Sequence, residues 1–316
     1  MSAPVGAFAA LLLIGAAWGL TTPLVKIGVE GGFRPLGILL WQLVLSVGLL
    51  GGWLGLRRVL GRGAGPLVPL GAAEWRLYAA VAALGIVVPH WISYTAVAHL
   101  PAGVISIIVS MVPLFALPLA LVLGMERFRL RRLAGLALGA AAVGLLVVPQ
   151  ASLPGAAAAG FVLFAMLTPL CYALEGAYVA GRASRRAGPL QTLLGGSVLG
   201  LAVVAPLALL GGQAVSPFAR WGPAEAAVAL SGLLSPLAYA GYVALLRATG
   251  PVFAAQVSYL VTACGVVWAM TLLGERYPPS VWSALALLFA GLFLVQPRPA
   301  LPPAGGVSGP APQPKA

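Results

Sequence analysis

Two short stretches, Leu123-Gly124-Met125-Glu126-Arg127 and Leu272-Leu273-Gly274-Glu275-Arg276, decide the fold. Each stretch ends one apolar segment and begins another, which runs to Pro149 in the first copy and to Pro297 in the second. The copies lie half a chain length apart. Self-similarity at a fixed spacing is the mark of an internal repeat, so the sequence predicts a duplicated unit.

The composition is that of a membrane protein. Hydrophobic residues make up 61% of the chain and charged residues 8%, against roughly 25% charged residues in soluble domains. The 41 glycines and 27 prolines interrupt apolar runs, where glycine permits close helix packing and proline is tolerated. Most basic residues behind the net charge of +12 lie in short connections, so they indicate topology in a lipid bilayer and not a nucleic-acid partner.

The apolar segments have the length of membrane-spanning helices. A spanning helix needs about 20 mostly apolar residues, and the charges and turn signals divide this chain into pieces of that size. Ten spans are predicted, at 4–25, 35–56, 77–98, 101–123, 132–149, 156–180, 189–211, 225–246, 252–273 and 279–296. The Pro/Gly/Ala-rich tail at 298–316 is predicted to be disordered.

The distribution of basic residues supports this count, because cytoplasmic connections carry the excess of Lys and Arg. With the N-terminus inside, the inside positions hold Arg57, Arg58, Arg62, Arg76, Arg127, Arg129, Arg131, Arg132, Arg182, Arg185, Arg186, Arg247, Arg298 and Lys315. The outside positions hold only Lys26, Arg34, Arg220 and Arg276. Both termini are therefore predicted to be cytoplasmic, and we expect an integral protein of the bacterial inner (plasma) membrane.

The duplication fixes the expected architecture. The predicted fold is an all-α polytopic membrane protein of ten transmembrane helices in two five-helix repeats, at 1–150 and 151–297. Five is an odd number, so the second repeat crosses the membrane in the inverted sense. Inverted repeats place a solute site near the midplane between the halves and support alternating access, which predicts a secondary transporter.

The chain also resembles the EamA-type family of the drug/metabolite transporter superfamily, over essentially its whole length before the tail. The resemblance depends on Ala17-Trp18-Gly19 with Lys26 in the first span, on Pro113 in the fourth, and on the paired Glu-Arg signatures. It implies ten helices in two inverted repeats, a central cavity, and export or exchange of small metabolites. Two positions depart from the pattern: Trp41-Gln42 stands where such proteins often carry an arginine, and Met125 is inserted in the first signature.

Glu175 is the one carboxylate that falls inside a predicted span. A charge at membrane depth costs roughly 3 kcal/mol, so such residues usually face a cavity or a partner. Glu175 is therefore a candidate for proton coupling or for binding an amine, unless it lies close enough to Arg182 to pair at the surface. His90 follows Pro89 in the third span and is either a second proton-coupling candidate or a neutral histidine bonded to a backbone carbonyl.

Aromatic and polar side chains in several spans suit a cavity for an amino-acid-like or amphipathic solute. The candidate cavity residues are Trp18, Thr21, Thr22, Gln42, His90, Tyr94, Tyr172, Glu175, Tyr178, Tyr239, Tyr242, Gln256 and Tyr259. The alternative for each Trp or Tyr is a place in the interfacial belt. Lys26 either meets an anionic group from outside or anchors the first helix among the headgroups.

Other functions have less support. Gly195-Gly196-Ser197-Val198 matches the G-x-S-x string of intramembrane serine proteases, but both histidines precede Ser197. A non-transporting receptor or structural protein is the other alternative. Asp is absent and no phosphate-binding G-x-x-x-x-G-K string occurs, so we predict no enzyme activity, no metal and no cofactor. The expected partners are a small-molecule solute and the bilayer, and glycine pairs with small-xxx-small spacing permit a homodimer.

Overall fold

A computed structural model of the chain describes residues 5–62, 67–69, 71–124, 130–147, 156–181, 187–215 and 221–295. Its regular secondary structure is entirely helical, and we number the helices α1 to α10. They span Val5–Glu30 (α1), Pro35–Val59 (α2), Ala72–Val97 (α3), Ala102–Val122 (α4), Leu130–Val147 (α5), Ala156–Ala165 with Leu167–Gly181 (α6), Pro189–Leu210 (α7), Pro223–Thr249 (α8), Pro251–Ala254 with Val257–Leu273 (α9), and Pro279–Val295 (α10).

The predicted ten-helix architecture is confirmed. Within the described residues, seven helices are long and apolar enough to cross a membrane, namely α1 to α4 and α6 to α8. The main part of α9 and the whole of α10 are apolar helices of 17 residues each. The tail at 298–316 lies outside the described residues, as do Glu126-Arg127 of the first signature.

Several helices continue beyond the predicted spans, because backbone hydrogen bonding does not stop where the sequence turns polar. Helix α1 reaches Glu30, and α3 begins at Ala72. The expectation that Glu175 is the one carboxylate in a span was therefore wrong, since Glu30 ends α1 and Glu74 and Glu225 occupy the first turns of α3 and α8. Glu175 remains the described carboxylate that lies away from a helix end.

The helix contacts repeat with a shift of five helices. Helix α1 packs against α8 and α9, and its counterpart α6 packs against α3 and α4. Helix α2 packs against its own counterpart α7, and α5 against α10. Exchanging each helix with the one five places along maps this pattern onto itself. The molecule is thus built from two five-helix repeats, whose equivalent helices run in opposite directions because five is odd.

Glycines permit close crossings between helices of the two repeats. A Cβ on Gly19 in α1 would lie 2.6 Å from the carbonyl oxygen of Val261 in α9. A Cβ on Gly135 in α5 would lie 2.7 Å from the carbonyl oxygen of Gly291 in α10. Both glycines therefore permit direct backbone contact between helices. The pairs 48/52 and 51/55 on α2 have no such neighbour, so their spacing serves no helix contact within the described chain.

Four helices are interrupted near their middle or at one end. Helix α3 contains a π-helical segment at Val81–Val87, α4 breaks at Ser110-Met111, α6 at Met166, and α9 at Ala255-Gln256. π-helical turns widen a helix and are frequent at functional sites. The segment in α3 faces α6 and α7, and it is here that the candidate site is built.

Candidate functional site

The carboxyl group of Glu175 lies against the π-helical segment of α3. A Cβ on Gly85 would stand 2.8 Å from the carboxyl carbon of Glu175, closer than a carbon atom can approach. Only a residue without a side chain leaves this space. The absence of a side chain at Gly85 therefore lets the Glu175 carboxyl of α6 lie directly against α3.

Glu175 is half-buried and unpaired within the described chain. The described residues offer its carboxylate no hydrogen bond and no ion pair, and the ion pair between Lys26 and Glu30 lies elsewhere. Arg182, the suggested surface partner, lies outside the described residues. The groups within electrostatic range of the carboxyl are the hydroxyls of Tyr172 on α6 and Tyr239 on α8.

His90 stands one turn beyond Gly85 in α3. Its Nδ1 lies 2.6 Å from the carbonyl oxygen of Ile86, and because a carbonyl only accepts, Nδ1 must carry the proton. In the neutral ring Nε2 is then a free acceptor. Pro89 has no N–H, so this turn lacks one backbone hydrogen bond, and the hydroxyl of Thr168 on α6 donates to the Pro89 carbonyl at 3.3 Å.

Aromatic rings extend from His90 and Glu175 toward α1 and α8. The His90 ring centroid is 6.4 Å from that of Tyr172. On the other side the rings of Trp18 in α1 and Tyr242 in α8 meet edge to face at 6.2 Å, and Tyr239 lies within electrostatic range of both Tyr242 and Glu175. We call this set the central cluster: Trp18, His90, Tyr172, Glu175, Tyr239 and Tyr242.

The central cluster draws on both repeats. Helices α1 and α3 of the first repeat supply Trp18 and His90, while α6 and α8 of the second supply the other four residues. Six of the residues predicted from sequence therefore come together. All six residues lie on helices, which hold side chains in place more precisely than loops do.

Tyr94 and Gln42, also predicted as cavity residues, belong to a hydrogen-bonded chain beside the cluster. The Tyr94 hydroxyl donates to Oε1 of Gln42 at 2.5 Å, and Nε2 of Gln42 donates to the hydroxyl of Ser231 at 2.8 Å. Ser231 in turn donates to the carbonyl of Val228. The chain joins α3 and α2 of one repeat to α8 of the other, and the rings of Tyr94 and His90 lie 5.4 Å apart.

The remaining predicted residues have other described contacts. Thr21 donates to the Trp18 carbonyl at 2.6 Å, and Thr22 is half-buried on the same turn. Tyr178 packs against the main apolar core, and Gln256 stands at the break in α9. The ring of Tyr259 meets Phe289 of α10 at 5.5 Å, while its buried hydroxyl has no hydrogen-bond partner among the described groups.

Sequence analysis missed the contacts that hold the turn between α3 and α4. Lys26 of α1 donates to the carbonyls of Val97 and Leu100 at 2.8 and 3.3 Å. The role of Lys26 is thus to bind the carbonyl end of α3, an interaction typical of cations at helix C-termini.

Glu275 holds the same turn from the other side. Its carboxylate accepts from the backbone N–H of Ala102 at 2.7 Å and of Gly103 at 3.2 Å, so it caps the N-terminus of α4. The Tyr277 hydroxyl donates to the same carboxylate, and burial together with this hydrogen bond raises the pKa of Tyr277. We call Lys26, Glu275 and Tyr277 the α3–α4 clamp. The repeated Glu-Arg signature predicted the duplication, but it did not indicate that Glu275 bonds the start of α4.

Comparison with known proteins fits this architecture. The model of the EamA-like transporter family matches residues 5–148 and 160–296. The chain belongs to the EamA-like transporter family. A solved structure titled only "Crystal structure of protein" is similar to it in fold, with a TM-score of 0.56 and 20% sequence identity over 91% of this chain and 97% of that chain. No curated protein matches the chain.

Membership of the EamA-like family makes this an integral membrane protein from a group of transporters that are not generally enzymes. The serine singled out by the protease-like string fits that assignment. The Ser197 hydroxyl is 3.4 Å from that of Ser46 on α2 and is 1% exposed, so its described partner is another serine and not a histidine base.

Proposed function

We propose that this EamA-like protein is a secondary active transporter that exports or exchanges a small organic metabolite by alternating access. The observation that carries the proposal is the unpaired carboxyl of Glu175, set against Gly85 at the junction of two repeats. Two inverted repeats with a shared site between them can exchange conformations and expose that site to each side in turn.

Proton coupling through Glu175 is part of the proposal. An unpaired carboxylate in a membrane interior is costly, so the group takes up either a proton or a positively charged solute group. His90 is the second candidate for this role, because its Nε2 is free to accept while Nδ1 is bonded to Ile86. The aromatic rings of the central cluster would supply apolar contact area for an amino-acid-like or amphipathic solute.

The experiment is solute counterflow in proteoliposomes that contain the purified protein, with and without a pH gradient. We expect flux that depends on the protein and responds to the gradient. Binding of a solute without any flux would contradict transport and favour a receptor. The Glu175→Gln variant tests the role of this carboxyl in coupling. Its matched control is Glu30→Gln, because Glu30 is an exposed carboxylate at the end of α1.

The proposal also orients the chain in the bacterial inner (plasma) membrane, with both termini in the cytoplasm. The support is the excess of arginine on one side of the predicted topology. The repeat boundaries at 1–150 and 151–297 and a homodimer belong to the same proposal.

A further inference from the structure

We propose that the central cluster selects an organic cation, an ammonium group on an apolar body of aromatic size, and that this cation replaces a proton on Glu175. The inference rests on the proposed transport function and names the class of its solute. In the exchange the carboxylic acid releases its proton to solvent and the cation forms an ion pair with the carboxylate, so the charge of the occupied site does not change.

The placement of charges favours a cation over an anion. Every described Lys and Arg lies in a connection or within five residues of a helix end. The amine of Lys26 already donates to the carbonyls of Val97 and Leu100. Glu175 is thus the single charged side chain of the central cluster, and a carboxylate-bearing solute would face it without a counter-charge.

The rings around Glu175 suit the same class of solute. Trp18, Tyr172, Tyr239 and Tyr242 are all half-buried and so retain uncovered surface. Trp and Tyr faces attract ammonium groups through the ring quadrupole, and this attraction is strongest where water is excluded. A neutral apolar solute would use the rings but would leave the carboxylate unpaired.

The exchange predicts a pH dependence, so each titratable group facing Glu175 matters. Its own helix supplies Cys171 and Tyr172, α3 supplies His90, and α8 supplies Tyr239. Helix α4, which also packs on α6, contains no titratable residue.

The titratable residues at the start of α3 face elsewhere. Tyr78 lies over Gly195 of α7, and its hydroxyl donates to the Pro69 carbonyl. The Glu74 carboxylate lies within electrostatic range of that hydroxyl. Tyrosine hydroxyls ordinarily keep their protons below pH 8, so the proposal assigns the released proton to the Glu175 carboxyl.

The test measures binding of three probes with one scaffold to the detergent-purified full chain: trimethyl(2-phenylethyl)ammonium, 2-phenylethanol and phenylacetate. Calorimetry in two buffers of different ionisation enthalpy counts the protons released. We expect the cation to bind about 30-fold tighter than either other probe, or more. Its affinity should rise by up to about tenfold per pH unit at acid pH and then level off, as protons cease to compete.

Variants show which residue is responsible for the preference for the cation and for the proton release. Glu175→Gln should abolish both the preference for the cation and the proton release, whereas Glu30→Gln, outside the central cluster, should keep both. Equal or tighter binding of phenylacetate, cation binding with no pH dependence in the wild-type chain, or binding of none of the probes would overturn the inference. The wild-type arms decide the matter even where a variant fails to fold.

The outcome is separable from that of the transport proposal. If proteoliposomes show counterflow of phenylacetate or 2-phenylethanol but not of the cation, the protein is a transporter and the solute class is wrong. If the cation binds with proton release and no gradient drives its flux, the solute class stands and transport is wrong.

Discussion

The Glu175 carboxyl group and the α-carbon of Gly85 occupy adjoining space, so that a single methyl group at position 85 would overlap the carboxyl. Since α3 belongs to the first repeat and α6 to the second, this contact joins the two halves at the site proposed for the solute. The π-helical segment of α3 includes Gly85, so the contact lies where this helix is widened. On its other side the Glu175 carboxyl lies within electrostatic range of Tyr239 on α8.

Replacing Gly85 with Ala should displace the Glu175 side chain. The atoms that the new methyl group meets are the far end of a flexible side chain, which can move aside, so we expect slower transport with only a small change in unfolding temperature. Gly176→Ala is the matched control, because a Cβ on Gly176 of α6 meets nothing within 4 Å. Thermal unfolding in detergent and counterflow in proteoliposomes measure both effects, and equal behaviour of the two variants would show that Gly85 is not needed to seat the carboxyl.

Removing the α3–α4 clamp should destabilise the fold. Glu275→Ala leaves the N–H groups of Ala102 and Gly103 without their acceptor, a loss of about 1–2 kcal/mol for a helix cap. Glu225→Ala is the comparison, since Glu225 bonds only the neighbouring N–H of Gly222. We expect a larger fall in unfolding temperature for Glu275→Ala, and the reverse order would refute the long-range cap.

The hydrogen-bonded chain through Gln42 should show energetic coupling. Gln42→Leu leaves the Tyr94 hydroxyl and the Ser231 hydroxyl without one partner each, so we expect a loss of about 0.5–2 kcal/mol. Combined with Tyr94→Phe, the loss should be smaller than the sum, because both ends of one bond are removed together. A double-mutant cycle on unfolding in detergent measures this, and strict additivity would mean that the bond contributes nothing.

The proposed orientation makes a labelling prediction. Arg58 lies in the last turn of α2 on the side assigned to the cytoplasm, and Arg276 follows α9 on the side assigned to the exterior. In a background without Cys171 and Cys264, Arg58→Cys should react with an impermeant thiol reagent only in inside-out vesicles, and Arg276→Cys only in intact cells. Reaction of both from one side would contradict the inverted arrangement.

Much of the fold could be predicted from the sequence, because apolar length and the charges between segments are local properties. Helix ends such as Glu30 and Ala72 were less predictable, since backbone hydrogen bonding continues a helix past the end of its apolar run. The π-helical segment in α3 left no sequence signal beyond Pro89. Its effect shows only when the carboxyl of Glu175 is placed beside Gly85.

The candidate site was predicted in part. Trp18, His90 and Glu175 stood out because polar groups are rare in these apolar spans. The partners of Gln42 and Glu275 did not, because Ser231 and Ala102 lie far away in sequence and the relative rotation of helices depends on packing. Apolar residues surround most of these helices, so periodicity does not distinguish a lipid-facing side from one that contacts another helix.

The most direct test of the account is the movement of protons driven by a solute gradient in proteoliposomes, measured with an internal pH indicator. A gradient of a transported solute should drive protons in the opposite direction through the wild-type chain and through Glu30→Gln, and this proton movement should vanish in Glu175→Gln. Proton movement of full size, with unchanged pH dependence, in Glu175→Gln would contradict the role assigned to this carboxyl group.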